Sequence, residues 1–301
     1  MNRFVAALAI TSTLLITQGC SSSVKSGETP VSTATKQEQN HAMGNGETAA
    51  NPSNPHGGHS MDNMSDGEQS SLALVKLITP KNISPNSPVP LVIDVQDKSG
   101  KAITKFDTFQ EKIMHLIAVS DDLQFFSHLH PTYKENGRFE VEANFPNTGS
   151  YTLFSDYKPS GQKEQVSVLK TEVPGNSPSS SKIDLNRTKI FADTKAKLTF
   201  PGPTIKAGQE ITLMFNLQET SNNQPIKDLQ PYLGERGHLV IIKQSSNLTA
   251  ADYIHAHALK DTTSGQVHFM TSFPQPGTYK LWGQFNRNGK IVTADFWVNV
   301  I

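Results

Sequence analysis

An internal repeat is the feature that most constrains how this chain folds. Leu91 to Val95 (LVIDV) corresponds to Leu213 to Leu217 (LMFNL), an offset of 122 residues. Further along, FPNTGSYTL at 145–153 corresponds to FPQPGTYKL at 273–281, an offset of 128. Loop insertions make an offset grow in such small steps. We therefore expect two copies of one domain, at 72–174 and 196–301, joined by a linker at 175–195.

The residue pattern within each copy predicts strands. Short β-branched and aromatic runs alternate with clusters of Pro, Gly, Asn and Asp, and no helical period is sustained. The strands predicted in the first copy are 73–79, 89–96, 112–120, 137–145, 150–157 and 163–172. Those in the second are 196–200, 209–218, 236–243, 265–273, 278–285 and 290–300. This density predicts an all-β chain with two tandem immunoglobulin-like antiparallel β-sandwich domains.

Aromatic residues in these strands have an expected structural role. Tyr151 and Tyr279, each in a Gly-x-Tyr sequence, are typical of the tyrosine corner of immunoglobulin-like sandwiches. Together with Trp282 and Trp297 they are expected to pack in the core or at its edge. A cupredoxin-like barrel is the alternative fold, but a blue copper centre needs a Cys ligand and neither copy contains one.

The single cysteine, Cys20, follows a segment typical of an export signal. Arg3 precedes an apolar run at 4–16 (FVAALAITSTLLI), which is too short to cross a bilayer. The run leads into TQGC at 17–20, which resembles the cleavage site of bacterial lipoproteins. The resemblance implies that 1–19 is a signal peptide and that Cys20 carries the lipid. We expect an extracytoplasmic protein of the cell envelope, anchored to a membrane by its acyl chains.

The segment 20–71 is predicted to be a disordered tether, because it is polar and cannot bury an apolar core. It contains imidazole and thioether side chains, which are ligands for Cu(I) and related soft ions. These are His41, Met43, His56, His59, Met61 and Met64. The stretch HGGHSMDNM at 56–64 resembles the Met/His-rich segments of periplasmic copper- and silver-resistance proteins. A plain tether without metal is the alternative hypothesis.

Three histidines recur at matching positions of the two copies. Residues i and i+2 of a strand point to one face, so each His-x-His pair can present two imidazoles to one ion. A third histidine lies in a preceding predicted strand of each copy. The candidate ligands for copper or zinc are thus His115, His128 and His130 in the first copy and His238, His255 and His257 in the second. Alternatively, all six are structural.

Composition and motifs exclude several classes of function. The chain has 27 basic and 27 acidic residues, so it has no net positive charge with which to bind nucleic acid. One cysteine excludes both a disulfide framework and a thiolate zinc site. We find no nucleophile elbow, phosphate loop or HExxH motif and predict no enzymatic activity, with a metal-dependent hydrolase as a minor alternative.

Two motifs in the repeats carry a family resemblance. HLIAVSDDL at 115–123, followed by HLHP at 128–131, and FPQPGTYKLW at 273–282 resemble exported bacterial YtkA-like and related immunoglobulin-like proteins. The resemblance implies a β-sandwich binding module without an established reaction. We therefore predict an envelope lipoprotein that binds or buffers a transition metal, most simply copper. The alternative is an adhesion or protein-interaction module with an unidentified protein partner and structural histidines.

Overall fold

The computed structural model describes residues 73–176, 182–260 and 262–301. The first domain has eight strands in two antiparallel sheets, ordered β1-β2-β6-β5 and β4-β3-β7-β8. The strands are β1 (Ala73–Ile78), β2 (Pro88–Asp97), β3 (Met114–Ser120), β4 (Phe126–Leu129), β5 (Thr132–Tyr133), β6 (Arg138–Asn144), β7 (Gly149–Tyr157) and β8 (Gln165–Val173).

The second domain repeats this arrangement. One sheet has the order β15-β11-β10-β9, and the other runs β14-β13-β16-β17 with β12 also paired to β16. The strands are β9 (Thr188–Phe191), β10 (Thr194–Thr199), β11 (Glu210–Glu219), β12 (Leu229–Gln230), β13 (His238–Lys243), β14 (Tyr253–His257), β15 (Gln266–Ser272), β16 (Gly277–Arg287) and β17 (Lys290–Val300). A short 3₁₀ turn, Ala250–Asp252, precedes β14. The prediction of an all-β chain with two immunoglobulin-like sandwiches is confirmed.

Alternation along the strands builds a separate core inside each sandwich. On β2, Leu91, Ile93 and Val95 are fully buried and face the inside of the first domain. Leu213, Phe215 and Leu217 do the same on β11 in the second domain. Each such side chain contributes about 1.5–3 kcal/mol by leaving water, so these cores are the main source of stability.

Both predicted tyrosine corners are confirmed. The Tyr151 hydroxyl donates to the Asn147 carbonyl oxygen at 2.8 Å, and the Tyr279 hydroxyl donates to the Gln275 carbonyl oxygen at 2.7 Å. Both rings are buried, so each bond fixes the loop that leads into β7 or β16. Trp282 is buried as expected, but it packs outside the core of its own sandwich.

A third apolar core joins the two domains. It contains Ile117 and Phe154 from the sheet of β3 and β7, and Val240 and Trp282 from the sheet of β13 and β16. Across this interface, Phe126 stacks on Trp282 with ring centroids 4.8 Å apart. The sheets β4-β3-β7-β8 and β14-β13-β16-β17 therefore pack face to face. This explains why β3 and β13 are buried on both faces.

The predicted strands agree with β1, β2, β3, β6, β7 and β8 and with their counterparts in the second domain to within about two residues at most ends. The shorter strands β4, β5, β9, β12 and β14 were not predicted. Of these, β9 lies inside the segment predicted as a linker, and β4 and β14 carry histidines of the candidate site.

Candidate metal site at the domain interface

The histidines of the first domain lie on the face of their sheet that is turned to the second domain. Alternation on β3 sends Met114 and Leu116 into the first domain's own core and His115 and Ile117 to the interface. His128 lies on the neighbouring strand β4, where its Cα pairs with that of Ile117. His130 follows β4, with its ring centroid 4.7 Å from that of His128.

The second domain presents its histidines in the same way. His238 begins β13, and the neighbouring strand β14 carries His255 and His257. The ring centroids of His128 and His238 are 4.8 Å apart, and those of His115 and His238 are 5.6 Å apart. All six predicted histidines thus lie in one cluster that spans the interface, whereas the sequence predicted a separate cluster within each domain.

Hydrogen bonds fix which nitrogen is free in two of the three first-domain histidine rings. His115 Nε2 donates to the Phe109 carbonyl oxygen at 3.2 Å, so Nδ1 carries the lone pair. His128 Nδ1 donates to Gln284 Oε1 of the second domain at 2.7 Å, so Nε2 carries the lone pair. His130 Nε2 is buried without a hydrogen-bond partner. Candidate ligand atoms from these three residues lie within 4.8 Å of one another.

The two fixed lone pairs face each other. His115 Nδ1 and His128 Nε2 are 3.0 Å apart, and neither atom has a proton to share in these tautomers. Two acceptors at this distance repel unless a cation lies between them. Nitrogens about 2.0–2.1 Å from one tetrahedral ion are about 3.3 Å apart, so a shift of a few tenths of an ångström would bring these two nitrogens to the spacing of two ligands of one ion.

The surroundings oppose protonation of this cluster. Burial is the main cause that lowers the pKa of His115 to about 3, and neighbouring His255 and His130 lower it further. Burial likewise lowers the pKa of His130 to about 4 and that of His128 well below its usual value. The rings therefore remain neutral at physiological pH, which is the form that binds a metal.

The second-domain histidines have different partners. His255 Nε2 lies 2.7 Å from His238 Nε2, and His255 Nδ1 donates to Asp156 Oδ2 of the first domain at 3.0 Å. His257 Nδ1 lies 3.0 Å from Glu235 Oε1. Within 73–176, 182–260 and 262–301, the three histidines of the second domain do not converge as those of the first do.

Three polar residues of the cluster were missed by the sequence analysis. Asp156 on β7 and Gln284 on β16 differ by the repeat offset of 128, and each contacts a histidine of the opposite domain. Gln110 reaches from the first domain to His238 and His257. The sequence did contain a signal for Asp156 and Gln284, since each is a polar residue inside a buried strand.

One further histidine of the described residues lies apart from this cluster. His268 is on β15 in an outer sheet, where its Nε2 lies 3.2 Å from Gln266 Oε1. Cys20 and the histidines and methionines of 41–64 lie outside the described residues. Among the helices of the described part, none is long and apolar enough to span a membrane.

A family match covers both sandwiches. Residues 72–173 and 190–301 each match the domain of unknown function DUF8832, and together they make up more than half of the chain. The chain belongs to the DUF8832 family. One DUF8832 domain therefore corresponds to one copy of the internal repeat. The family gives no support to the predicted YtkA-like or copper-resistance resemblance, and none of the curated proteins matches the chain.

Solved structures share sequence with this DUF8832 protein only weakly. The Escherichia coli adhesin FdeC is 13% identical over 77% of this chain and 65% of that chain, with a TM-score of 0.25. Trypsin-activated alpha-2-macroglobulin from Escherichia coli is 15% identical over 76% and 16%, with a TM-score of 0.26. Invasin, a bacterial integrin-binding protein, is 11% identical over 75% and 40%, with a TM-score of 0.22. The chain spans less than two thirds of each, and such scores carry no argument about function.

Proposed function

We propose that this DUF8832 protein binds a transition metal ion between its two domains, through His115, His128 and His130. The observation that carries the proposal is the convergence of two fixed lone pairs, His115 Nδ1 and His128 Nε2, beside the unpartnered buried His130 Nε2. Buried nitrogens without a partner are costly, and an ion would compensate all three at once.

The ligand chemistry favours copper or zinc. Three neutral imidazoles suit both Cu(II) and Zn(II), and they leave a position for water or a fourth ligand. Copper is our first choice, because the segment 41–64 combines His and Met, the ligands of Cu(I) in an oxidising compartment. In this proposal the tether collects ions and the domains hold them.

We also propose that the protein is extracytoplasmic and is held at a membrane through lipid on Cys20. The support is the apolar run at 4–16 that leads into TQGC at 17–20. Mass spectrometry of the protein purified from membranes should find residue 20 as the N-terminus, with added acyl mass. An unmodified Cys20 inside a longer chain would refute lipid anchoring.

The metal proposal is tested by retention of ions on the full chain. Protein equilibrated with Cu(II) or Zn(II) and then dialysed is analysed by elemental mass spectrometry. We use a background with Cys20→Ala, His41→Gln, His56→Gln and His59→Gln, so that the thiol and imidazoles of the tether do not contribute. We expect the domains to retain metal and His128→Gln to remove one ion per chain, because it removes one of the converging ligands.

The matched control is His268→Gln, which replaces a histidine outside the cluster and should leave metal retention unchanged. Circular dichroism of each variant checks that the strands remain folded. If the background protein retains no ion, or if His128→Gln retains as much as its parent, the domain histidines are structural.

The competing proposal is an adhesion or protein-interaction module. Two of the similar structures, an adhesin and an integrin-binding protein, have names of this class. Absence of metal from the folded domains would favour it. We propose no enzymatic activity, and metal-dependent hydrolysis would require turnover that His128→Gln and His130→Gln abolish.

A further inference from the structure

His238 and His255 share a single proton with an amide oxygen. His238 Nε2 lies 2.7 Å from His255 Nε2 and 2.5 Å from Gln110 Oε1. His255 Nδ1 is committed to Asp156, so His255 Nε2 presents a lone pair. One N–H of His238 therefore serves two acceptors. With its proton on Nδ1 instead, His238 Nε2 would present a third electron pair beside those of His255 Nε2 and Gln110 Oε1, and a cation could take the place of the proton.

The partner of His255 is the kind that metal-binding histidines use. A ligating histidine usually donates its other ring N–H to a carboxylate, which fixes the ring and strengthens the ligand. Asp156 makes this contact with His255, and the Asp156 side chain is 3% exposed. The buried carboxylate also supplies a negative charge near the position, whereas its repeat counterpart Gln284 supplies none.

Gln110 is held at this position by an unusual turn. Phe109 and Lys112 exchange two backbone hydrogen bonds, and the two residues between them, Gln110 and Glu111, have φ of 47° and 62°. Residues other than glycine, asparagine and aspartate rarely adopt this left-handed conformation, because it is strained. Such strain is expected where a side chain must reach a site.

The side chain of Gln110 lies between two histidines of the second domain. Its Oε1 faces His238 Nε2, and its Nε2 lies 2.6 Å from His257 Nδ1. Oxygen and imidazole nitrogen together suit a borderline cation such as Zn(II) or Co(II). The two protein domains contribute equally to this geometry, because Gln110 and Asp156 belong to the first and the histidines belong to the second.

We propose that His238 Nε2, His255 Nε2 and Gln110 Oε1 form a second cation site beside the three-histidine site, with Asp156 as the positioning residue of His255. Metal ions of the same class occupy both sites, and in this respect the inference rests on the proposed function. His115 and His238 stack on each other between the two sites, with ring centroids 5.6 Å apart. The protein then holds two neighbouring ions, and the second only when its domains are docked.

The experiment is a Co(II) titration of the full chain, followed by visible absorption and by elemental analysis at saturation. The background carries Cys20→Ala, His41→Gln, His56→Gln and His59→Gln, so that ions bind to the domains alone. We expect two ions per chain. Asp156→Asn should weaken one of the two binding steps by about 10–100-fold and leave the other unchanged, because it removes the carboxylate that orients His255.

Two further variants make the result specific. Asp94→Asn removes a carboxylate that pairs with Arg138 on an outer sheet and should change neither step. His255→Gln should reduce the stoichiometry from two ions to one, and the far-ultraviolet circular dichroism of each variant confirms folding.

The outcomes separate this inference from the proposed function. One ion per chain that is lost in His128→Gln and kept in His255→Gln would overturn the second site and leave the first in place. Two ions whose affinities do not respond to Asp156→Asn would overturn the role of Asp156. No bound ion at all would overturn both proposals.

Discussion

At the scale of single residues, the tautomer of His128 is set from across the domain interface. Gln284 accepts the Nδ1 proton of His128, and that bond leaves Nε2 directed at His115. Gln284 is itself largely buried, so water does not compete for the bond. A residue of the second domain therefore prepares a ligand of the first.

Replacement of that acceptor should weaken metal binding. In Gln284→Leu, the Nδ1 proton of His128 has no acceptor, and the ring is no longer fixed in the ligating orientation. We expect the Kd for Zn(II) at the three-histidine site to rise by about 10–100-fold, measured by competition with a chromophoric chelator. Gln124→Leu, at an exposed loop position, is the control and should bind as the parent does. An unchanged Kd in Gln284→Leu would show that Gln284 has no part in the site.

The six histidines could be found from the sequence because they recur in both copies of the repeat. Their meeting at one interface could not be found, because it depends on which sheet faces of the two domains pack together. Gln110 illustrates the limit further. It reaches His238 over 128 residues of sequence, by way of a strained turn that contains none of the usual Asn-Gly or Asp-Gly signals.

At the scale of strands, β3 and β13 each serve two cores. Every second residue of each strand packs inside its own sandwich, and the residues between them pack between the domains. The sequence predicted both strands, because a run that is apolar at every position is typical of a central strand. It did not predict β4 and β14, which are short and only partly buried.

Substitution of Phe154 on β7 tests how much the interface core contributes to stability. It is fully buried and stacks on Tyr253 of the second domain with ring centroids 5.0 Å apart. Phe154→Ala should lower the free energy of unfolding by about 3–5 kcal/mol, measured with denaturant. Because it loosens the faces that carry the histidines, it should also weaken Zn(II) binding in the protein that remains folded.

A substitution that creates a comparable cavity outside the interface provides the control. Phe139 is equally buried but packs inside the first sandwich, so Phe139→Ala should cost similar stability with a smaller effect on the Kd for Zn(II). Equal losses of affinity in both variants would mean that metal binding reports general stability and does not depend on the docking of the domains.

At the scale of the whole molecule, two copies of one domain pack against each other and place the histidine cluster between two folded units. Each sandwich has its own core, and the repeat made both predictable from alternation alone. Matching positions then diverged, since Asp156 in one copy corresponds to Gln284 in the other. The histidines of the second domain therefore have a carboxylate of the first domain beside them, whereas those of the first domain have a neutral amide of the second. A single domain would not show this difference.

The buried histidines should make the stability of the metal-free protein fall in mild acid. In the unfolded chain their pKa is about 6.5, whereas in the folded protein burial lowers that of His115 to about 3 and those of His128 and His238 well below the usual value. Between these values the unfolded chain binds protons that the folded protein does not. The free energy of unfolding is therefore complete above about pH 6.5 and decreases as the pH falls, by up to about 1.4 kcal/mol per pH unit for each histidine.

Denaturant unfolding at intervals from pH 7.5 to pH 5.0 measures this dependence, in a range above the ordinary pKa of the carboxylates. His128→Gln removes one of the groups, so its slope should be shallower than that of the parent by up to about 1.4 kcal/mol per pH unit. His268→Gln lies outside the cluster and should keep the parent slope. If the parent protein is equally stable at pH 7.5 and pH 5.0, the cluster accepts protons as readily as the unfolded chain does, and the argument that it favours a metal ion over a proton fails.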